Sequence, residues 1–290
     1  MLDYDSAIES IAALQARDTD AINPLCRTQL LAYGNQVERA IVFLHGFTNC
    51  PQQFAGLAEI FYRMGWNVLN PRLPHHGLAD RLTGDLARMR ADELVSFTDD
   101  LLEVASGLGE RVCLVGLSLG GTLALRAAQR HPELERAVAV APFMAPHGVP
   151  RLIVPVLAAG APRLPNRFFW GDSSKKAEIP GPKHAYPRIA SRAVGEVLRI
   201  SADIQADARR PDARPQAKSV LLVTNDVDEA VNNAVPCAIV KRWQANGARN
   251  VKTYEFPASM NLVHDMVDKE QPGQRTRQIY PMLVDLITER

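Results

Sequence analysis

The chain has 290 residues, 47% of them hydrophobic and 22% charged, an ordinary globular balance that excludes disorder, collagen-like repeats and an extended coiled coil. Lys and Arg number 33 against 32 Asp and Glu, for a net charge of +1, so no summed positive field exists to hold a polyphosphate and nucleic acid is not an expected partner. The longest apolar stretch, Val149 to Ala161, is interrupted by Arg151 and Pro155 and is shorter than the roughly 18 residues of a membrane span, so no transmembrane segment is expected.

The first residues, MLDYDSAIES, are acidic and lack a basic region followed by an apolar one, so the cytoplasm is the expected location unless a leader has been removed. Tyr4 to Arg17 reads as a helix. Cys26, Cys50, Cys113 and Cys237 lie far apart with no C-x-x-C pair, which suits neither a zinc site nor a dense disulfide framework; all four are expected to be reduced. Ala40 to Leu44 reads as the first strong strand. A helix from Pro51 to Gly65 leads to a strand over Asn67 to Asn70, and a helix from Ala91 to Gly109 carries Leu94, Phe97, Leu101 and Leu102 on one stripe. Next come a strand over Arg111 to Val115, with Cys113 inside it, a helix from Ser118 to His131 that stops before Pro132, and a strand over Ala137 to Val140. Helices over Ile189 to Arg209, Ala230 to Gly247 and Gln274 to Arg290 alternate with strands over Ser219 to Thr224 and Val251 to Phe256.

The runs IVFL, VCLV and AVAV are continuously apolar, as in strands covered on both faces, and the alternation of strand and helix predicts a doubly wound α/β fold around a mostly parallel sheet. Residues 145–218 break the rhythm with a Pro- and Arg-rich stretch and are expected to form an inserted cap, with residues 1–144 and 219–290 as the core.

The strongest chemical signal is Gly116-Leu117-Ser118-Leu119-Gly120, placed directly after a strand and before a helix. Such a turn needs nearly side-chain-free neighbours so that the serine hydroxyl projects above the sheet edge, which makes Ser118 the candidate nucleophile. A serine needs a base, and the base needs a carboxylate to hold its tautomer. His264 is the one histidine after the last strand, in a loop from which a side chain can reach over the strand ends. The acid is sought after the preceding strand, where Asp226 and Asp228 both qualify by position, with Glu229 third; Asp228 is preferred, and its alternative role is a helix N-cap. Oxyanion donors are expected from the backbone N–H groups of Leu119 and Phe47, and Phe47 and Phe143 are expected to line the substrate pocket. His45 reads as a loop brace. His75, His76 and His147 lack metal-ligand spacing, so neither a metal nor any other cofactor is expected. Arg151, Arg163 and Arg167 read as solvated cap residues, and the apolar cap stretch reads as internal packing before a membrane-binding face.

These motifs, His45-Gly46-Phe47-Thr48, Pro71 to Gly77, the elbow around Ser118, Asp228-Glu229-Ala230-Val231-Asn232 and the closing His264, resemble the α/β-hydrolase superfamily, particularly small bacterial carboxylesterases and monoacylglycerol lipases. The resemblance runs from about Ala40 to Arg290. It implies a serine esterase acting on a small-molecule ester, strengthens Asp228 as the acid, and implies an oxyanion hole from Phe47 and Leu119 beneath a cap. His75-His76-Gly77 departs from the family's Gly-His-Gly. A thioesterase, a proline-releasing aminopeptidase or a C–C bond hydrolase would share the same residues, and a non-catalytic binding protein is the rival from another class. The cap or an edge strand could pair two subunits as a homodimer.

Overall fold

A computed structural model of the chain describes residues 2–171 and 179–289. Its centre is a seven-stranded sheet in the order β1 (Gln29–Leu31), β3 (Asn67–Asn70), β2 (Val37–Leu44), β4 (Gly109–Leu117), β5 (Arg136–Val140), β8 (Val220–Asn225) and β9 (Val251–Phe256). All neighbours are parallel except β1, which runs antiparallel to β3 at one edge. The family-level expectation of a mostly parallel sheet with helices on both faces is met.

The continuous apolar runs are explained by the two cores. In β2, Ala40, Val42 and Leu44 enter one cluster while Ile41 and Phe43 enter the other; in β4, Val112 and Leu114 oppose Cys113, Val115 and Leu117 in the same way. Successive strand side chains point to opposite faces, so both sets must be apolar when both faces are covered. One face packs against α1 (Tyr4–Gln15), α3 (Ala91–Leu108), α4 (Leu119–Ala128), α6 (Ser191–Ala208) and α7 (Ala234–Ala245), and the other against α2 (Ala55–Arg63) and α8 (Thr276–Thr288). The N-terminal helix α1 docks on α3 through Ala7 and Ile11, and its N-cap Asp3 accepts a hydrogen bond from the Ser6 N–H at 2.8 Å.

Between β5 and β8 the chain forms α5 (Val154–Gly160), a small antiparallel pair of β6 (Phe168–Trp170) and β7 (Arg188–Ala190), and then α6, which lies against α3, α4 and α7. Of the apolar stretch at its start, Val154 and Ala158 are buried, whereas Leu152, Ile153 and Val156 are exposed. Arg151, Arg163 and Arg167 are exposed as well. No helix among the described residues is long and apolar enough to cross a membrane.

The cysteines need a correction. Cys26 and Cys50 form a disulfide between the segment before β1 and the loop after β2, while Cys113 and Cys237 are free. Their separation of 24 residues carries no pairing signal in the sequence. It is the fold that folds Ile22 to Cys26 back against Cys50 and Leu78. Closing a loop of this size restricts the unfolded chain by about 3 kcal/mol. Replacing both Cys26 and Cys50 with serine should therefore lower the calorimetric Tm by several degrees, and reductant should reproduce the shift in the wild type but not in the double variant.

Candidate active site

The parallel register aligns the C-terminal ends of the strands: Leu44 pairs with Gly116, Leu117 with Val140, and Asn225 with Phe256. The loops that carry His45 to Phe47, Ser118, Asp228 and His264 therefore leave one edge of the sheet. Open α/β sheets collect their reactive groups at this edge because the strand-to-helix turns present free backbone N–H groups there.

Ser118 sits between β4 and α4 with φ 57° and ψ −112°, a backbone conformation that non-glycine residues seldom adopt. The surrounding close packing enforces it. A Cβ on Gly116 would meet the Gly120 carbonyl oxygen at 2.0 Å, and a Cβ on Gly120 would meet the Leu44 carbonyl oxygen at 1.9 Å. The Ser118 N–H donates to the Val140 carbonyl at 3.0 Å, and its own carbonyl accepts from Thr122 and Phe143 N–H groups, both at 3.0 Å. The serine is thus held from β5 as well as from its own helix, and it is buried.

Asp228 and His264 meet. The Asp228 Oδ2 lies 2.8 Å from His264 Nδ1, and its Oδ1 accepts from the Ala230 and Val231 N–H groups at 2.9 and 3.2 Å. One carboxylate oxygen caps the turn while the other faces the imidazole, so the capping role and the acid role coexist. Burial alone would raise the Asp228 carboxyl, but the hydrogen bond and charge of His264, with the two backbone donors, hold it below its ordinary value. Burial alone would lower the His264 imidazole, yet the Asp228 bond and charge, aided by Asp265, raise it. Engagement of Nδ1 leaves Nε2 as the ring nitrogen without a partner among the described residues. Asp226 is exposed, with its N–H bonded to the Phe256 carbonyl, and Glu229 is exposed too; neither faces His264.

The Leu119 N–H opens α4 and so lacks an acceptor within the helix, and the Phe47 N–H has no backbone acceptor among the described residues. The Phe47 and Phe143 rings lie side by side with centroids 6.3 Å apart. His45 is fully buried and driven well below its usual range, first by burial and then by His76; it braces two loops, with Nδ1 near the Gly46 carbonyl and Nε2 accepting from the Leu73 N–H. His76, pushed to about 4 by burial, is neutral and has a single N–H for the Pro74 and Phe47 carbonyls that flank it. His75 lies between Asp85 and Glu93, away from the pair.

Several supporting residues carry no sequence motif. Asn225 Nδ2 donates to the Leu262 carbonyl at 2.9 Å and so clamps the His264 loop to the end of β8. His147 holds the Asp228 carbonyl at 3.0 Å. Gln53, also fully buried, links the Phe47 loop to the His264 loop through Gly46 and Asp265. A buried pair of His184 and Asp268 at 2.9 Å ties the segment between β6 and β7 to Asn49. Their signal is three-dimensional: apart from the Gly46–Gln53 bond, each spans between 37 and 219 residues and joins loops that the sheet order brings together.

No group of three or more metal-ligating side chains is placed to hold an ion among the described residues. A separate cavity of about 290 Å³ at the opposite edge of the sheet is lined by Arg39, Trp66, Arg111, Cys113 and Arg136, but burial pushes the Cys113 thiol up to about 12, which removes it as a nucleophile at neutral pH.

The model of a family described as the alpha/beta hydrolase family matches residues 41–278. A thermostable monoacylglycerol lipase of Bacillus sp. (strain H-257) is 26% identical over 177 residues, an alignment that spans 59% of this chain and 64% of that protein. Among solved structures, one reported for the metagenome-derived lipolytic enzymes LipS and LipT superimposes with a TM-score of 0.67 at 20% identity, covering 93% of this chain and all of that one. The monoacylglycerol lipase of Paleococcus ferrophilus gives 0.66 at 19% identity, with coverage of 90% and 97%.

The electrostatics generate a prediction independent of any substrate. By NMR titration His264 should deprotonate above the ordinary histidine value of about 6.5, and Asp228→Asn should bring it below that value, since burial, the largest influence, is then opposed by the Asp265 charge alone. An unchanged titration in Asp228→Asn would contradict this ordering of effects.

Proposed function

Because the chain belongs to the alpha/beta hydrolase family, we propose that it is a serine hydrolase of carboxylic esters, working through an acyl-enzyme without a cofactor. The observation that carries this reading is the Asp228–His264 pair, 2.8 Å apart, at the sheet edge from which the strained Ser118 turn projects. In the proposed mechanism His264 Nε2 takes the Ser118 proton as the hydroxyl attacks the ester carbonyl. Asp228 keeps the proton on Nδ1 and stabilises the imidazolium, and the Phe47 and Leu119 N–H groups hold the oxyanion. The imidazolium then protonates the leaving alcohol, and water activated by the same base releases the acid.

Residues 145–218, between β5 and β8, act as the cap in this reading, and Phe47 and Phe143 form the start of the acyl pocket. Short to medium acyl chains and monoacylglycerols are the proposed substrates; the likeness to the Bacillus lipase supports the choice, although its alignment is confined to part of both chains. The Cys26–Cys50 disulfide favours an oxidising location.

Ser118→Ala should reduce kcat for p-nitrophenyl esters and monoacylglycerols by about 10³-fold or more, with Tm and KM little changed, because the serine forms the covalent bond. Hydrolysis at the wild-type rate by a folded Ser118→Ala protein would overturn the assignment.

A further inference from the structure

The triad leaves one half-buried carboxylate beside it unused. Asp265 follows the base directly in sequence, and its Oδ1 accepts from Gln53 Nε2 at 2.9 Å. Gln53 is fully buried, and its Oε1 accepts from the Gly46 N–H at 2.7 Å, one residue before the Phe47 donor. A single amide therefore satisfies two partners in opposite senses: it accepts a hydrogen bond from the Gly46 N–H and donates one to the carboxylate next to the base. An amide offers a donor and an acceptor on one planar group without titrating, and Gln53 presents it from the 3-10 turn Pro51–Phe54 that precedes α2.

We infer that Asp265 is a second carboxylate acting on His264, and that Gln53 is the positioning residue that fixes it while fixing the oxyanion loop. The inference rests on the triad reading and adds to it a coupling between the base and the oxyanion donors. The charged groups around the site are few and assignable. His264 faces Asp228 from the loop after β8 and Asp265 from its own loop; Asp265 in turn faces His264, Asp228 and Asp268, and Asp268 is itself paired with His184. Burial raises the Asp265 carboxyl, the two other aspartates raise it further, and the His264 charge and the Gln53 bond oppose them. An imidazolium formed during the reaction thus has the Asp228 carboxylate in direct contact through Nδ1 and the Asp265 carboxylate, bound by Gln53, on the adjoining residue.

The test separates charge from tether. Asp265→Asn keeps an oxygen for the Gln53 donor and removes the charge; Asp265→Ala removes both. In Asp265→Asn the acid limb of the kcat/KM pH profile and the His264 NMR titration should move together to lower pH, because a negative charge that favours the imidazolium has been removed. Its plateau kcat should stay within about threefold of wild type. Asp265→Ala should show the same displacement and, with Gln53 released, a plateau kcat lower by about tenfold at similar KM, the size expected for a loosened oxyanion donor. Gln53→Leu, which unmakes both bonds, should match that kcat loss.

Folded Asp265→Asn protein whose acid limb and His264 titration both coincide with wild type would overturn the inference while leaving the triad intact. Full hydrolysis by His264→Ala would instead overturn the triad reading, and the inference with it, so the two failures are distinguishable.

Discussion

The backbone at Ser118 is the constraint around which the rest is arranged. A serine at φ 57° is a state that few residues tolerate, and it persists only where the surroundings over-determine it. Here the surroundings are carbonyl oxygens. The Gly120 oxygen sits where a side chain on Gly116 would be, and the Leu44 oxygen sits where one on Gly120 would be, so β2, β4 and the first turn of α4 close around the serine with no room for a Cβ. The same tight turn that strains Ser118 places the Leu119 N–H at the mouth of a helix, where no intrahelical acceptor exists. Strain, the serine hydroxyl and a free donor are thus one local geometry.

Everything else at the sheet edge holds loops in place relative to that turn. His45 and His76 are both buried, and the depression of their basicity keeps them neutral, so they serve as hydrogen-bonding braces that add no positive charge next to the base. Asn225 clamps the His264 loop, and Gln53 joins that loop to the one bearing Phe47. The disulfide fastens the same region from the N-terminal side at Cys50, one residue beyond the buried Asn49. His264, in contrast, has Asp228 in direct contact and Asp265 next to it in sequence, and both raise its basicity.

Much of this was legible in the sequence because it depends on order and periodicity. Asn67–Asn70 and Val251–Phe256 have the bounds their patterns predict, and the remaining long strands extend the predicted runs by one to three residues at an end or shift by one. Asp228 and His264 could be proposed from their places after successive strands, and the structure brings them together. The strands β1, β6 and β7, each three residues long, were not legible, since three residues carry no periodicity and pairing alone stabilises them. Helix α7 begins at Ala234, four residues later than its apolar pattern suggests, because Asp228 caps a separate turn at Ala230 and Val231 and Asn232 then receives the Ala234 N–H. The Cys26–Cys50 bond, Gln53 and the His184–Asp268 pair were equally silent, because each depends on loops that meet only after the sheet has formed.

The central claim is that the strained turn presents an activated serine. It is tested most directly by treating the wild-type protein with a fluorophosphonate and locating the adduct by intact mass and peptide mapping. The account predicts one adduct per chain, on Ser118, formed faster as pH rises through the His264 titration. An adduct on another residue, or none on a folded protein under conditions that label a serine esterase, would contradict it.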